Sequence, residues 1–137
     1  MSSNLFRDWF FERLIWALMS GEWTVEIQDF KNSRNKRERE LFGSADPHED
    51  KEGGIIYLDK KRGTLAILVH ELGHVLLGEI LDSEATYKNR TKKQIEKWTE
   101  EQVLIFEKVF YSCLSVKQKK TLKVFIDRAM IDFRHNN

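Results

Sequence analysis

Cysteine and proline are both scarce in this sequence, and the scarcity of cysteine narrows the classes of protein to which it can belong. Its 137 residues include one cysteine, Cys113, and one proline, Pro47. A single cysteine excludes an intrachain disulfide and a structural zinc site made of several thiolates. In an apolar helix such a cysteine is expected to be a small core residue. Because neither a disulfide framework nor a cleavable signal pattern is present, we expect a cytoplasmic protein.

An excess of charge of one sign and a long uninterrupted apolar run are also missing. The 23 basic and 22 acidic side chains leave a net charge of +1, which gives no reason to expect a nucleic-acid partner. The basic residues between Lys31 and Glu40 are interspersed with glutamates, as in a solvated loop. Charges also interrupt the apolar N-terminal segment, which argues against a membrane span and predicts an amphipathic helix over residues 4–20. Its predicted apolar face, expected to pack on the core, comprises Leu5, Phe6, Trp9, Phe10, Leu14, Ala17 and Leu18.

The patterns along the chain predict a single α+β domain over residues 1–137, and they leave its oligomeric state open. Alternating apolar residues predict a strand from Trp23, and the apolar run 55–58 predicts another. The polar stretch 31–52 predicts a long loop or frayed hairpin. Helical spacing predicts further helices at about 64–81, 92–113 and 115–134. We therefore expect a small, mostly antiparallel sheet packed on the helix at 64–81 and on the C-terminal helices.

Chemistry is concentrated in His70-Glu71-Leu72-Gly73-His74, an H-E-x-x-H pentapeptide within an apolar run. Residues four apart lie on one face of a helix, so both imidazoles can bind one metal ion. Glu71 is offset by about 100° around the helix, where its carboxylate can serve as general base toward a water on that metal. The alternative is a pair of core histidines with satisfied hydrogen bonds plus a solvated glutamate, which would leave three polar side chains of the right types and spacing unexplained.

A third metal ligand is expected on the following helix. Thr99, Glu100 and Glu101 resemble a helix start or a bend, and either glutamate could bind the metal. Glu96 and Glu107 are weaker candidates. A metzincin site is excluded because Leu77 stands where its glycine would fall.

The stretch GGIIYLDKKRGTLAILVHELGHVLLGEI, followed by EEQVLIFEKVF, resembles the small gluzincin-type metallopeptidases, which include the minigluzincins, phage-encoded metallopeptidases and the ImmA/IrrE group. The resemblance covers about residues 23–113. In the ImmA/IrrE group the ligand glutamate precedes a small apolar residue by three positions and an aromatic residue by six. Glu100, Val103 and Phe106 match that spacing, which favours Glu100, whereas Leu104 replaces the group's Asn or Asp four residues after the ligand.

The resemblance implies a zincin-like domain that binds one Zn²⁺ ion and hydrolyses a protein or peptide. It assigns the metal to His70, His74 and Glu100 and the catalytic base to Glu71. It also makes the strand at 55–58 an edge strand that pairs with extended substrate. The alternatives are a zinc-binding interaction module with little or no activity and a zinc-free structural protein.

An oxyanion donor is also needed by a peptidase, and the sequence leaves its identity open. Tyr87 is the first candidate because it follows the zinc helix. Substrate specificity and possible shielding of the cleft by the N-terminal helix are likewise left open. The competing donors are Tyr57, Tyr111, His48 and His135.

Overall fold

A computed structural model describes residues 4–81, 88 and 90–136 of the chain, and in this part it has an α+β architecture. Three strands and five α-helices are present among these residues. In chain order they are α1 (Leu5–Met19), β1 (Trp23–Gln28), a 3₁₀ turn (Phe30–Asn32), α2 (Lys36–Arg39), β2 (Gly43–Pro47), β3 (Gly54–Asp59), α3 (Leu65–Leu81), α4 (Lys92–Cys113) and α5 (Val116–Asn136).

The helix predictions are confirmed to within two residues at each end, and side-chain caps explain two of the boundaries. Thr91 and Gln94 form a reciprocal capping box at the start of α4. Ser115 and Gln118 exchange the same pair of hydrogen bonds before α5. Because α4 continues without a break through Thr99, the helix start predicted there is wrong.

The sheet has the strand order β1-β3-β2, and it is mixed rather than mostly antiparallel. Strand β3 pairs in parallel with β1 and antiparallel with β2. The strand at 55–58 is therefore central, so the prediction that it forms an edge is wrong. The edge beside it is β2, a strand that lies within the segment predicted as loop or frayed hairpin. Its sequence GSADP has little intrinsic strand preference, and the segment is a strand because it pairs with β3.

One face of the sheet packs against the helices, and the other face is polar along β1. Thr24, Glu26 and Gln28 are exposed, whereas the alternate residues of β1 point inward. Helix α3 lies between the sheet and α4, and α5 packs against β1. The core includes Leu14, Trp23, Ile27, Ile56, Leu58, Leu68, Val69, Leu72, Phe110, Leu122, Ile126 and Ala129.

Two predictions about burial need correction. The N-terminal half of α1 is less buried than its apolar pattern predicts, because Leu5, Phe6 and Trp9 are exposed while the later residues Leu14, Ala17 and Leu18 enter the core. Cys113 is also exposed rather than a core residue, since it ends α4 on the solvent side.

None of the described helices is both long enough and apolar enough to cross a membrane.

Candidate metal centre

Helix α3 presents the two motif histidines on one face, one turn apart. Thr64 caps the helix through its hydroxyl, which accepts a hydrogen bond from the amide of Ile67, as its sequence position predicts. The imidazole centroids of His70 and His74 are 5.0 Å apart. Potential ligand atoms of His70, Glu71 and His74 all lie within 4.8 Å of one another. The predicted helical geometry of the motif is therefore present.

Gly73, between the histidines, allows α4 to approach α3 closely. A Cβ atom at this position would lie 3.1 Å from the ring of Phe106 and 3.4 Å from a methyl group of Val103. Both side chains are buried and follow Glu100 on the same face of α4. Glycine at this position thus lets the second helix bring its carboxylates to the histidines.

Glu100 spans the two histidines with its two carboxylate oxygens. Its Oε1 lies 3.1 Å from Nε2 of His70, and its Oε2 lies 3.0 Å from Nε2 of His74. In a tetrahedral zinc site with bonds of about 2.0–2.1 Å, ligand atoms are about 3.3 Å apart. A donor set of two imidazoles and one carboxylate at these spacings could hold a metal ion. Glu71 also lies near the histidines, whereas Glu100 contacts both Nε2 atoms.

Glu107 contacts the other ring nitrogen of His70. Its Oε2 is 3.1 Å from Nδ1, at the distance of a hydrogen bond. Metal-binding histidines commonly donate their second ring N–H to a carboxylate, which fixes the tautomer and the ring orientation. The sequence makes Glu107 only a weaker candidate for direct ligation, although its position seven residues after Glu100 places it on the same helix face. Glu107 thus contacts His70 from two turns after Glu100, a contact that the apolar side chain of Leu104 cannot make.

Glu71 is turned away from α4 toward β2. Its side chain is 7% exposed, and its Cγ would lie 3.4 Å from a Cβ atom at Gly43. Among the described residues, every fully buried polar side-chain atom has a hydrogen-bond partner. The Glu71 carboxylate makes no hydrogen bond to a described residue, so its oxygens are not fully buried. They therefore keep some contact with solvent, and one of them lies within 4.8 Å of ligand atoms of both histidines.

Burial raises the pKa of Glu71 to about 7. A positive charge on His70 opposes this rise, while the carboxylates of Glu100, Asp46 and Glu107 add to it. Burial also lowers the pKa of His74, which favours the neutral imidazole that a metal ion requires. Both shifts arise mainly because the two side chains are removed from water.

The other predicted site residues fall outside this cluster. Glu96 and Glu101 are exposed on α4, and within the described part of the chain no hydrogen bond or ion pair joins them to either histidine. Tyr87 lies outside the described residues. Of the remaining oxyanion candidates, His48 lines the same cavity as His74. Tyr57 lies in the central strand, and Tyr111 stacks with the ammonium of Lys119.

Comparisons with protein-family models, with curated proteins and with solved structures found no significant match to this chain. The interpretation of the site therefore rests on its own geometry.

Proposed function

We propose that this protein is a zinc-dependent peptidase with a zincin-like fold of the gluzincin type. The metal ligands are His70, His74 and Glu100, and the general base is Glu71. The observation that carries the proposal is the Glu100 carboxylate, which lies about 3 Å from Nε2 of both histidines. A neutral histidine has a proton on one ring nitrogen only, yet His70 has a carboxylate beside each nitrogen. A cation at Nε2 satisfies this arrangement while Nδ1–H donates to Glu107.

Each protein group then has a defined task in amide hydrolysis. A bound zinc ion would polarise the substrate carbonyl and make a water molecule beside it more acidic. Glu71 accepts the proton of the attacking water and returns it to the leaving amine, and its position within 4.8 Å of ligand atoms of both histidines favours this role. Glu107 holds the His70 ring in place through Nδ1.

Strand β2 is the element best situated to bind an extended peptide. It forms the sheet edge next to α3, and its first residue, Gly43, lies against Glu71. An edge strand offers unpaired backbone groups that can hydrogen-bond to an added strand. A peptide paired with β2 would therefore pass beside the carboxylate of Glu71, and main-chain pairing would favour an unfolded protein or a peptide as substrate.

A zinc-binding interaction module without activity is the competing function. The small size of the chain and the replacement of the group's Asn or Asp by Leu104 favour this module, but Glu107 places a carboxylate beside His70. The two functions differ in whether the Glu71 carboxylate is needed.

The decisive experiment measures zinc content and hydrolysis of an unfolded protein by the purified wild type and by Glu71→Gln. We expect about one zinc per chain in both proteins. We also expect hydrolysis by the wild type that a chelator abolishes, and a loss of at least about 100-fold in Glu71→Gln because general-base catalysis contributes about 10²–10⁴-fold.

Glu101→Gln is the matched control, since it makes the same change at an exposed glutamate of α4. It should retain wild-type activity. Full activity of Glu71→Gln would overturn the proposal, and zinc binding without any hydrolysis by the wild type would favour the interaction module.

A further inference from the structure

A cavity of about 780 Å³ opens beside the metal cluster on the side of His74. It extends from His74 and Val75 on α3 to Ala45 and Pro47 on β2. Pockets for small ligands have volumes of about 300–1,000 Å³, so this cavity can accommodate more than one residue of a peptide. His74 and β2 belong both to the cavity and to the path proposed for the peptide. The cavity therefore continues the path of a peptide that leaves the metal cluster along β2.

Two tryptophans supply the aromatic part of the cavity. Trp23 is buried in the core, whereas Trp16 of α1 is 56% exposed and offers its indole to the cavity. The guanidinium of Arg13 lies 5.1 Å from the centre of the Trp16 ring, so a cation already lies over one face of the indole. The exposed indole of Trp16 is thus the main aromatic surface that the cavity offers to a side chain.

The wall opposite α3 is held by two glycines that allow very close packing. A Cβ atom at Gly53 would overlap the carbonyl of Glu22, and one at Gly54 would lie 2.8 Å from the Trp23 ring. The amide of His48 donates a 2.8 Å hydrogen bond to the carbonyl of Gly53, which closes the hairpin between β2 and β3. The cavity is therefore formed before any ligand binds, and binding does not have to order this wall.

Charge does not select the ligand, because the cavity carries both signs. Arg13 and Lys51 contribute positive groups, and Glu22 and Glu52 contribute negative ones. Selection must therefore come from the aromatic and aliphatic surfaces.

We propose that this cavity is the specificity pocket of the enzyme and that Trp16 selects an aromatic or bulky aliphatic side chain close to the cleaved bond. The inference rests on the proposed function, which supplies the peptide paired with β2. Stacking on the indole adds about 0.5–1.5 kcal/mol to the burial of an aromatic side chain. Loss of the stacking alone corresponds to a reduction of about 2–13-fold in cleavage of the preferred bonds, and loss of the apolar contact with the indole adds to it, so we expect about tenfold.

The first test compares cleavage sites. An unfolded protein is digested with the wild type, Trp16→Ala and Trp9→Ala, and the fragments are quantified by mass spectrometry. Trp9 is the matched control, because it lies on the same helix, is 57% exposed and does not line the cavity. We expect Trp16→Ala to cut about tenfold less at bonds flanked by aromatic residues, whereas Trp9→Ala keeps the wild-type pattern. An unchanged pattern in Trp16→Ala would overturn the inference.

The second test does not need activity. Peptides with acetylated and amidated ends, composed of alanine and serine with one central Phe or one central Ala, are titrated calorimetrically into Glu71→Gln. The Phe peptide should bind about tenfold more tightly than the Ala peptide, and Trp16→Ala in the Glu71→Gln background should remove this difference while Trp9→Ala preserves it. Equal binding of both peptides to Glu71→Gln contradicts the pocket. A Trp16-dependent difference together with no hydrolysis by the wild type supports the pocket and rejects the peptidase function.

Discussion

At the scale of single residues, His70 is the side chain on which the site depends most. Carboxylates lie 3.1 Å from both of its ring nitrogens, Glu100 at Nε2 and Glu107 at Nδ1. The contact at Nε2 brings together two of the proposed metal ligands, and the contact at Nδ1 orients the ring. Because they act on different atoms, substitutions can separate them.

Replacing Glu107 tests the orienting contact. We expect Glu107→Ala to weaken zinc binding by about 10–100-fold, because the His70 ring loses the partner that fixes its tautomer. Glu107→Gln should lose less, since its amide oxygen still accepts the hydrogen bond from Nδ1. Competition with a chromophoric chelator measures the affinity, and Glu101→Ala serves as the control. Wild-type affinity in Glu107→Ala would show that the contact does not orient His70.

Asp59 is the second buried carboxylate, and it acts on stability rather than on the site. Its side chain accepts hydrogen bonds from the amides of Phe30, Lys61 and Arg62 and from the Arg62 guanidinium. Burial alone would raise the pKa of Asp59, but these donors hold it at about 2. The ionised form thus stabilises the folded state by on the order of 2 kcal/mol above about pH 4.

This stabilisation should disappear as the pH falls from about 4 through 2, because the folded protein then loses the charge that its donors bind. Urea unfolding of the wild type and Asp59→Asn should differ by roughly 2 kcal/mol or more at pH 6, and the difference should shrink toward pH 2. Asp50→Asn, at an exposed site, should unfold like the wild type throughout. A difference that does not change with pH would contradict the role of the charge.

At the scale of elements, the contact between β2 and α3 determines how deeply Glu71 is buried. Gly43 makes this contact possible, since a Cβ atom there would lie 2.8 Å from a methyl group of Ile67 and 3.0 Å from the carbonyl of Tyr57. Any larger residue must push the edge strand away from the helix. Water would then reach Glu71 more freely.

We therefore expect Gly43→Ala to lower the free energy of unfolding by about 1–3 kcal/mol, the usual cost of overpacking. Hydrolysis should fall as well, because β2, the strand that we propose pairs with substrate, moves relative to Glu71. Urea unfolding and the peptide assay measure the two effects. Gly78→Ala is the stability control, since a Cβ atom there meets no atom within 4 Å and alanine favours the helix. Equal free energies of unfolding for Gly43→Ala and Gly78→Ala would show that the close approach of β2 to α3 does not limit the residue at position 43.

The elements also differ in how far local sequence predicts them. Helices α4 and α5 follow from apolar spacing and from the caps Thr91 and Ser115, which are local signals. Strand β2 has no such signal, because Gly43–Pro47 is short, polar and ends in the only proline. It is a strand because β3 offers an edge with which it pairs. The edge position that the resemblance implies for 55–58 is wrong because β2 pairs with its second side, and the local sequence of β2 does not reveal that pairing.

At the scale of the whole molecule, the proposed metal ion connects elements that are distant in sequence. His70 and His74 belong to α3, and Glu100 belongs to α4. A ligand that binds only the folded state stabilises it, by about 2.7 kcal/mol at a concentration 100 times its Kd. For a chain of this length that corresponds to a rise in Tm on the order of 10 °C.

We expect zinc to raise the Tm of the wild type by about this amount and a chelator to reverse the rise. Glu100→Ala should lose most of the increase, whereas Glu101→Ala should keep it, and this contrast decides between the two glutamates that the sequence leaves open. Differential scanning calorimetry measures both. An equal increase in Glu100→Ala and the wild type would exclude Glu100 as a ligand.

The α3 motif and the four long helices follow from the sequence alone, because both depend on spacings of three and four residues within one segment. Which carboxylates meet the histidines depends on tertiary packing, since α4 must first pack on Gly73 before Glu100 and Glu107 reach them. Tertiary packing also makes β2 an edge of the sheet and places Trp16 beside the same cavity as His74. These are contacts between segments far apart in the chain, and no local pattern encodes them.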